Sequence, residues 1–213
     1  TSSVLSNTAT NRGDTWMVRV TPNDGYHDGD SVEAVVSIVN TAPEVNSVVL
    51  DTIEASTSQT VTCTGSASDL DGDTLSESYV WENQTTGVTL GTSSVLILSP
   101  LSVSPGDSVV CSYTADDGVI GDSSSVVLSI INTEPSIDSM SIVPSTPYLG
   151  DTLSCMSSVS DADLETPTES YVWENQTTSV IVSTGSSLLL DASNASPNDI
   201  IACILTVTDT AGE

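Results

Sequence analysis

Lysine is absent from the 213 residues, and the only bases are Arg12 and Arg19. Against them stand 29 acids, for a formal net charge of -27 at pH 7. A surface this negative repels polyanions, which makes nucleic acid and anionic membrane poor partners, and no nucleic-acid binding is expected. It also repels itself, so it suits a saline medium or bound cations. Without Lys there are no Lys–Asn isopeptide cross-links. His27 is the single histidine. No nucleophile elbow, phosphate-binding Gly loop or zinc-protease helix motif is present, so the chain reads as no enzyme. The acids recur in turns rather than as one pair, which argues against glycoside hydrolysis. No apolar run is long enough to cross a bilayer, so this segment predicts no direct membrane insertion. Nor is there a helical hydrophobic period.

What is present is a long repeat. Ser78-Tyr79-Val80-Trp81-Glu82-Asn83-Gln84-Thr85-Thr86 returns letter for letter as Ser170–Thr178, 92 residues on. Cys63 and Cys111 flank the first Trp; Cys155 and Cys203 flank the second at the same interval. Thr41-Ala42-Pro43 and Thr133-Glu134-Pro135 mark where the units begin. The pattern predicts three parts: residues 1–42 as the last part of a repeat, 43–133 as a complete repeat, and 134–213 as a repeat that stops before its final strand. This reads as a window on a longer protein. A unit of about 90 residues can bury a modest core of its own.

Within the complete unit, short β runs alternate apolar and polar residues between Gly, Pro, Asp and Ser clusters. They fall at Asn46–Asp51, Gln59–Ser66, Glu77–Asn83, Val88–Leu90, Ser94–Ser99, Ser108–Thr114 and Ser124–Ile131. This predicts an all-β fold of antiparallel sandwiches, about seven strands per repeat. The hydrophobic share of 38% in alternating runs argues against disorder. Cys63 falls on the second strand and Cys111 on the sixth. In an immunoglobulin-type sandwich these strands lie in opposite sheets, bridged by a disulfide beside a Trp that Trp81 matches by order. Two pairs at one spacing, with no His nearby and no C-x-x-C, read as disulfides rather than zinc ligands. They imply an oxidising, extracellular or cell-surface location. In the first, partial unit Val18 stands where Cys111 would, and an aliphatic packing contact is expected there instead.

Asn40-Thr41-Ala42-Pro43, the loop Ser68-Asp69-Leu70-Asp71-Gly72-Asp73, Tyr79-Val80-Trp81 and Thr21-Pro22-Asn23-Asp24-Gly25 carry a resemblance over nearly the whole chain. It resembles the immunoglobulin-like modules, close to the PKD and cadherin-like groups, of long arrays in exported proteins of marine and predatory bacteria and some archaea. That resemblance implies an array of extracellular sandwiches and leaves the activity open. After Trp81 the chain runs Glu82-Asn83-Gln84, where the PKD pattern has a Gly/Asp-rich turn.

The strongest candidate chemistry is acidic. Asp69, Asp71 and Asp73 lie between the strands of Cys63 and Trp81; Asp116, Asp117 and Asp122 lie between the last two strands. In an immunoglobulin-type topology both loops sit at the end where the chain enters through Asn40–Glu44. Carboxylates gathered there repel unless a cation joins them, and Ca2+ takes six to eight oxygens. The Asp69–Asp73 run resembles the start of an EF-hand loop but lacks the distal Glu and the helices. The next unit keeps Asp161 and Asp163, puts Glu165 for Asp73 and Leu164 for Gly72, and has Asp209 for Asp117 but Thr208 for Asp116. These losses predict a weaker site there or none. The alternative is a solvated turn, since Asp and Gly favour turns for backbone reasons alone.

Arg12-Gly13-Asp14 spells an integrin-type tripeptide, but it aligns with the turns Pro105-Gly106-Asp107 and Pro197-Asn198-Asp199. Asn83, Asn175 and Asn194 are glycosylation acceptors by pattern. The expected function is a stalk, filament or adhesin shaft whose partners are neighbouring repeats of the same protein. The alternatives are a glycan- or protein-binding module with an unknown cell-surface ligand, a spacer of a secreted enzyme, and a filament subunit completed by a strand from another copy.

Overall fold

The computed structural model describes residues 4–212, and all of the regular structure beyond one short 3-10 turn is β. Strand β1 (Thr15–Val20) pairs antiparallel with β2 (Val32–Ser37), Thr15 opposite Ser37 and Val20 opposite Val32. Val18, expected to pack in place of a cystine, is instead exposed, as are Val35 and Val36 beside it. No other strand covers this ribbon among the described residues.

The complete unit contributes eight strands: β3 (Glu44–Leu50), β4 (Glu54–Ala55), β5 (Thr60–Ser68), β6 (Ser76–Asn83), β7 (Val88–Gly91), β8 (Val95–Ile97), β9 (Ser108–Asp116) and β10 (Gly121–Ile130). One sheet has the order β3-β5-β8 and the other β4-β10-β9-β6-β7. β4 is the strand that the sequence reading lacked. It runs parallel to β10, with Glu54 opposite Ser129 and Ala55 opposite Ile130, so the chain changes sheets just after β3. Two residues are too few to show an alternating period.

The alternation elsewhere does its expected work. Val109, Cys111, Tyr113 and Ala115 of β9 all point inward, as do Val61 and Cys63 of β5. Trp81 is fully buried and lies directly opposite Cys111 in the ladder. Its indole N–H donates to Ser93 O at 2.8 Å, so the large ring enters the core without an orphaned donor. The Cys63–Cys111 disulfide joins the two sheets beside it.

The following unit repeats the plan with β11 (Ser136–Val143), β12 (Thr152–Ser160), β13 (Thr168–Asn175), β14 (Val180–Thr184), β15 (Ser187–Leu189) and β16 (Ile201–Thr208). Its sheets are β11-β12-β15 and β14-β13-β16. Even the irregularity recurs: the register slips between Val45 and Ser47 in β3 and between Ile137 and Ser139 in β11. Trp173 lies opposite Cys203, donates to Gly185 O at 2.9 Å, and packs by the Cys155–Cys203 disulfide. The two units have separate hydrophobic cores, one around Trp81 and one around Trp173. Among the described residues no helix is long and apolar enough to cross a membrane.

Candidate functional site

The acids gather where the linkers enter the units, and each loop is built around its first Asp. Asp69 Oδ1 accepts the backbone N–H of Asp71 at 2.8 Å and of Asp73 at 3.2 Å. The loop closes with Gly72 N–H on Asp69 O at 3.3 Å, Gly72 taking φ of 77°. Asp71 faces away from the other carboxylates. Its Oδ2 accepts Thr41 N–H at 2.7 Å and its Oδ1 accepts the Thr41 hydroxyl at 3.3 Å. Asp117, on the turn between β9 and β10, takes Asn40 Nδ2 at 2.7 Å on Oδ2, and Val119 and Ile120 N–H on Oδ1. Asn40, the Ile120 and Val119 amides and the positive Arg12 hold the Asp117 carboxyl below the usual 3.8. Asp122 accepts Val45 N–H at 2.9 Å. The linker residues Asn40 and Thr41 and the adjoining Val45 of β3 are thus held by three carboxylates.

Asp69, Asp73 and Asp117 each bring one oxygen within 4.8 Å of the others. Asp71 and Asp116 stay out of that group: Asp71 holds Thr41, and Asp116 Oδ1 caps its own turn through Gly118 N–H at 2.7 Å. Arg12 enters from the preceding ribbon. Its Nη1 donates to Asn40 Oδ1 at 2.6 Å and stands 2.8 Å from Asp73 Oδ2, a charge contact rather than an aligned hydrogen bond. The side chain of the integrin-type tripeptide is therefore engaged with its own junction. Asp14 serves the turn, accepting Asn11 N–H at 2.9 Å.

The second junction has the same clasp. Asp163 Oδ2 accepts Thr133 N–H at 2.7 Å, and Asn132 Nδ2 donates to Asp209 Oδ2 at 2.6 Å. Asp161 Oδ1 accepts Asp163 N–H at 2.7 Å. Losing Gly72 to Leu164 does not open the loop. Leu164 adopts φ of 63° and its N–H keeps the 3.3 Å bond to Asp161 O. That conformation costs an L-residue about 1 kcal/mol or more, so the clasp imposes it. A further contact crosses the junction: Thr57, wholly buried between β4 and β5, donates its hydroxyl to Asp163 Oδ1 at 2.5 Å. Asp161, Glu165 and Asp209 bring oxygens within 4.8 Å of one another, and Asp163, turned to Thr133 and Thr57, is outside that group.

Two glycosylation candidates are corrected by burial. Asn83 is 0% exposed and Asn175 2%. Asn83 Nδ2, the atom a glycan would need, donates to Asp107 Oδ2 at 2.7 Å and to Ser102 O at 3.3 Å, and Oδ1 accepts Thr85 and Thr86 N–H. Asn175 makes the matching set with Asp199, Asn194 O, Thr177 and Thr178. A folded unit has no room for a sugar at either. Asn194 is half-buried, its Nδ2 donating to Leu189 O at 2.8 Å. His27 is exposed in the ribbon's loop.

Arg12, Asn40 and Asn132 make junction contacts that the sequence reading did not assign to them. The one signal for the asparagines was their recurrence at 92 residues just ahead of each unit. No family model and no curated protein matches the chain.

Proposed function

We propose that this chain is a segment of the shaft of a long extracellular or cell-surface protein, made of tandem immunoglobulin-like β-sandwiches and without catalytic work of its own. The observation that carries this reading is the recurrence of one clasp at both junctions. Linkers as short as Asn40–Pro43 and Asn132–Pro135 limit bending, and here their backbone and side chains are also bonded to loops of the unit that follows. Each disulfide joins the two sheets of its unit, so load along the chain cannot extend the 48 residues between its cysteines. The disulfides fit an oxidising medium, and the acidic surface fits a saline one. Carboxylates at the junctions give such a shaft places for Ca2+.

Pulling residues 1–213 by their ends tests the reading. Each unit is expected to give way in a discrete event, with the 48 residues between its cysteines locked. Reduction should then free about 160 Å more per unit, at about 3.4 Å per residue. Extension without discrete events would remove the shaft reading.

A further inference from the structure

Two kinds of contact meet at the second junction, and they fasten different pieces. The clasp ties the linker to the unit that follows: Asp163 takes Thr133 N–H, and Asp209 takes Asn132 Nδ2. Neither bond reaches the body of the preceding unit, so the clasp does not by itself orient that unit. Thr57 supplies a tie from that body. It stands on the turn between β4 and β5, and its hydroxyl donates to Asp163 Oδ1 at 2.5 Å, with Ala162 O the next acceptor at 3.4 Å.

The hydroxyl serves the neighbour rather than its own unit, since both acceptors belong to the unit that follows. The turn itself does not call for Thr. It closes with Gln59 N–H on Ser56 O at 3.2 Å, and the corresponding turn of the next unit closes with Asp151 N–H on Tyr148 O at 3.1 Å. That second turn has Leu149 at the Thr57 position, so an apolar residue suits it equally. Thr57 is nevertheless wholly buried on an end turn, and Asp163, which caps it, is buried as well. Asp71, the matching carboxylate of the first junction, binds Thr41 in the same way but is exposed. A hydroxyl bonded to a carboxylate is stronger than a neutral pair, and a buried carboxylate that loses a donor is left short of a partner. Rotation of one unit against the other would break this bond first.

We propose that Thr57 is the contact by which the 43–133 unit docks on the unit that follows, and that it sets the angle between them. The partner this end fits is the Asp-rich loop of a sandwich whose clasp aspartate is already turned to the linker, as Asp163 is here and Asp71 is at the first junction. One carboxylate then joins both the linker, through Thr133, and the preceding unit, through Thr57, to its own loop. The inference deepens the shaft reading and rests on it.

The test compares residual dipolar couplings of residues 43–131 and 136–208 in the intact, oxidised chain for wild type, Thr57→Val and Thr57→Ser. Val keeps the branched shape of Thr and removes the donor. Wild type and Thr57→Ser are expected to fit one alignment tensor. Thr57→Val should need two tensors of unequal magnitude, while hydrogen exchange shows each unit and the Thr133 amide as protected as before. Should Val lower protection within its unit, Thr57→Leu takes its place, because Leu149 already fills this turn in the next unit. A single tensor in the variant without the hydroxyl overturns the proposal and leaves the shaft standing. Two tensors in Thr57→Ser overturn the role given to the hydroxyl. Two tensors in wild type overturn both the proposal and the stiff shaft.

Discussion

Replacing Asn83 by Ala isolates the reason that nine residues recur unchanged. The Asn83 side chain is wholly buried and makes four hydrogen bonds, two as donor to Asp107 Oδ2 and Ser102 O and two as acceptor from Thr85 and Thr86 N–H. Thr85 then closes the corner by accepting Ser108 N–H on its hydroxyl at 3.1 Å. Ala leaves two backbone donors and a carboxylate short of partners. Asp107 keeps Ser104 N–H, and the Thr85 and Thr86 amides gain some water, so the loss falls well short of three full penalties. About 2–4 kcal/mol is expected, at 1–3 kcal/mol per unsatisfied group. Asn83→Asp keeps the acceptor but sets a carboxylate against Asp107, and should be at least as damaging at neutral pH. Hydrogen exchange on the oxidised chain reads the effect locally: a loss near 3 kcal/mol lowers protection across the 43–133 unit by about 100-fold. The unit around Trp173 should be unchanged, because its own Asn175 is intact and its core is separate. A loss under about 0.5 kcal/mol would refute the claim that this asparagine is a structural corner post.

Gly65 lies so close to Tyr113 that an added Cβ would stand 2.3 Å from the ring. Gly65→Ala should therefore cost about 1–3 kcal/mol by overpacking. Adding Tyr113→Leu should restore much of it, since the next unit pairs Ser157 with Leu205 at these positions; an unaltered melting temperature in the single variant would contradict the contact. Asn175 and Ser196 N–H hold the Asp199 carboxyl below its usual 3.8. Because the folded value is the lower one, this stabilisation is present above pH 3.8 and is lost as pH falls through the folded value. The melting temperature of Asn175→Ala should therefore fall less steeply below pH 4 than that of wild type, and equal slopes would count against the pairing.

Periodicity made the strands legible, because inward residues at every second position leave a trace in any half-buried strand. The cystines were legible because two pairs share one interval and each flanks a Trp. β4 was not, being too short to have a period, and neither was the exposure of Val18. Its position matches Cys111, but burial depends on what covers a strand, which position alone does not reveal. The acidic loops were located correctly as loops. Which acids converge was hidden, since Asp71 and Asp69 are chemically alike and only the backbone turn sends one to Thr41 and the other inward. Arg12 was obscured by its own motif: the Gly-Asp beside it is explained by the turn, so the Arg looked incidental. Asn83 shows the opposite hazard. A glycosylation pattern coincides with a buried corner, and nothing local in sequence separates the two.

Orientation between the units tests the central claim most directly. Residual dipolar couplings can be measured on residues 43–131 and 136–208 of the intact, oxidised chain with Ca2+ present. If the clasp at Asn132 and Thr133 fixes the joint, both sets are expected to fit one alignment tensor of the same magnitude and direction. Two tensors of unequal magnitude would mean that the units turn freely about Asn132–Pro135, and would contradict a stiffened shaft.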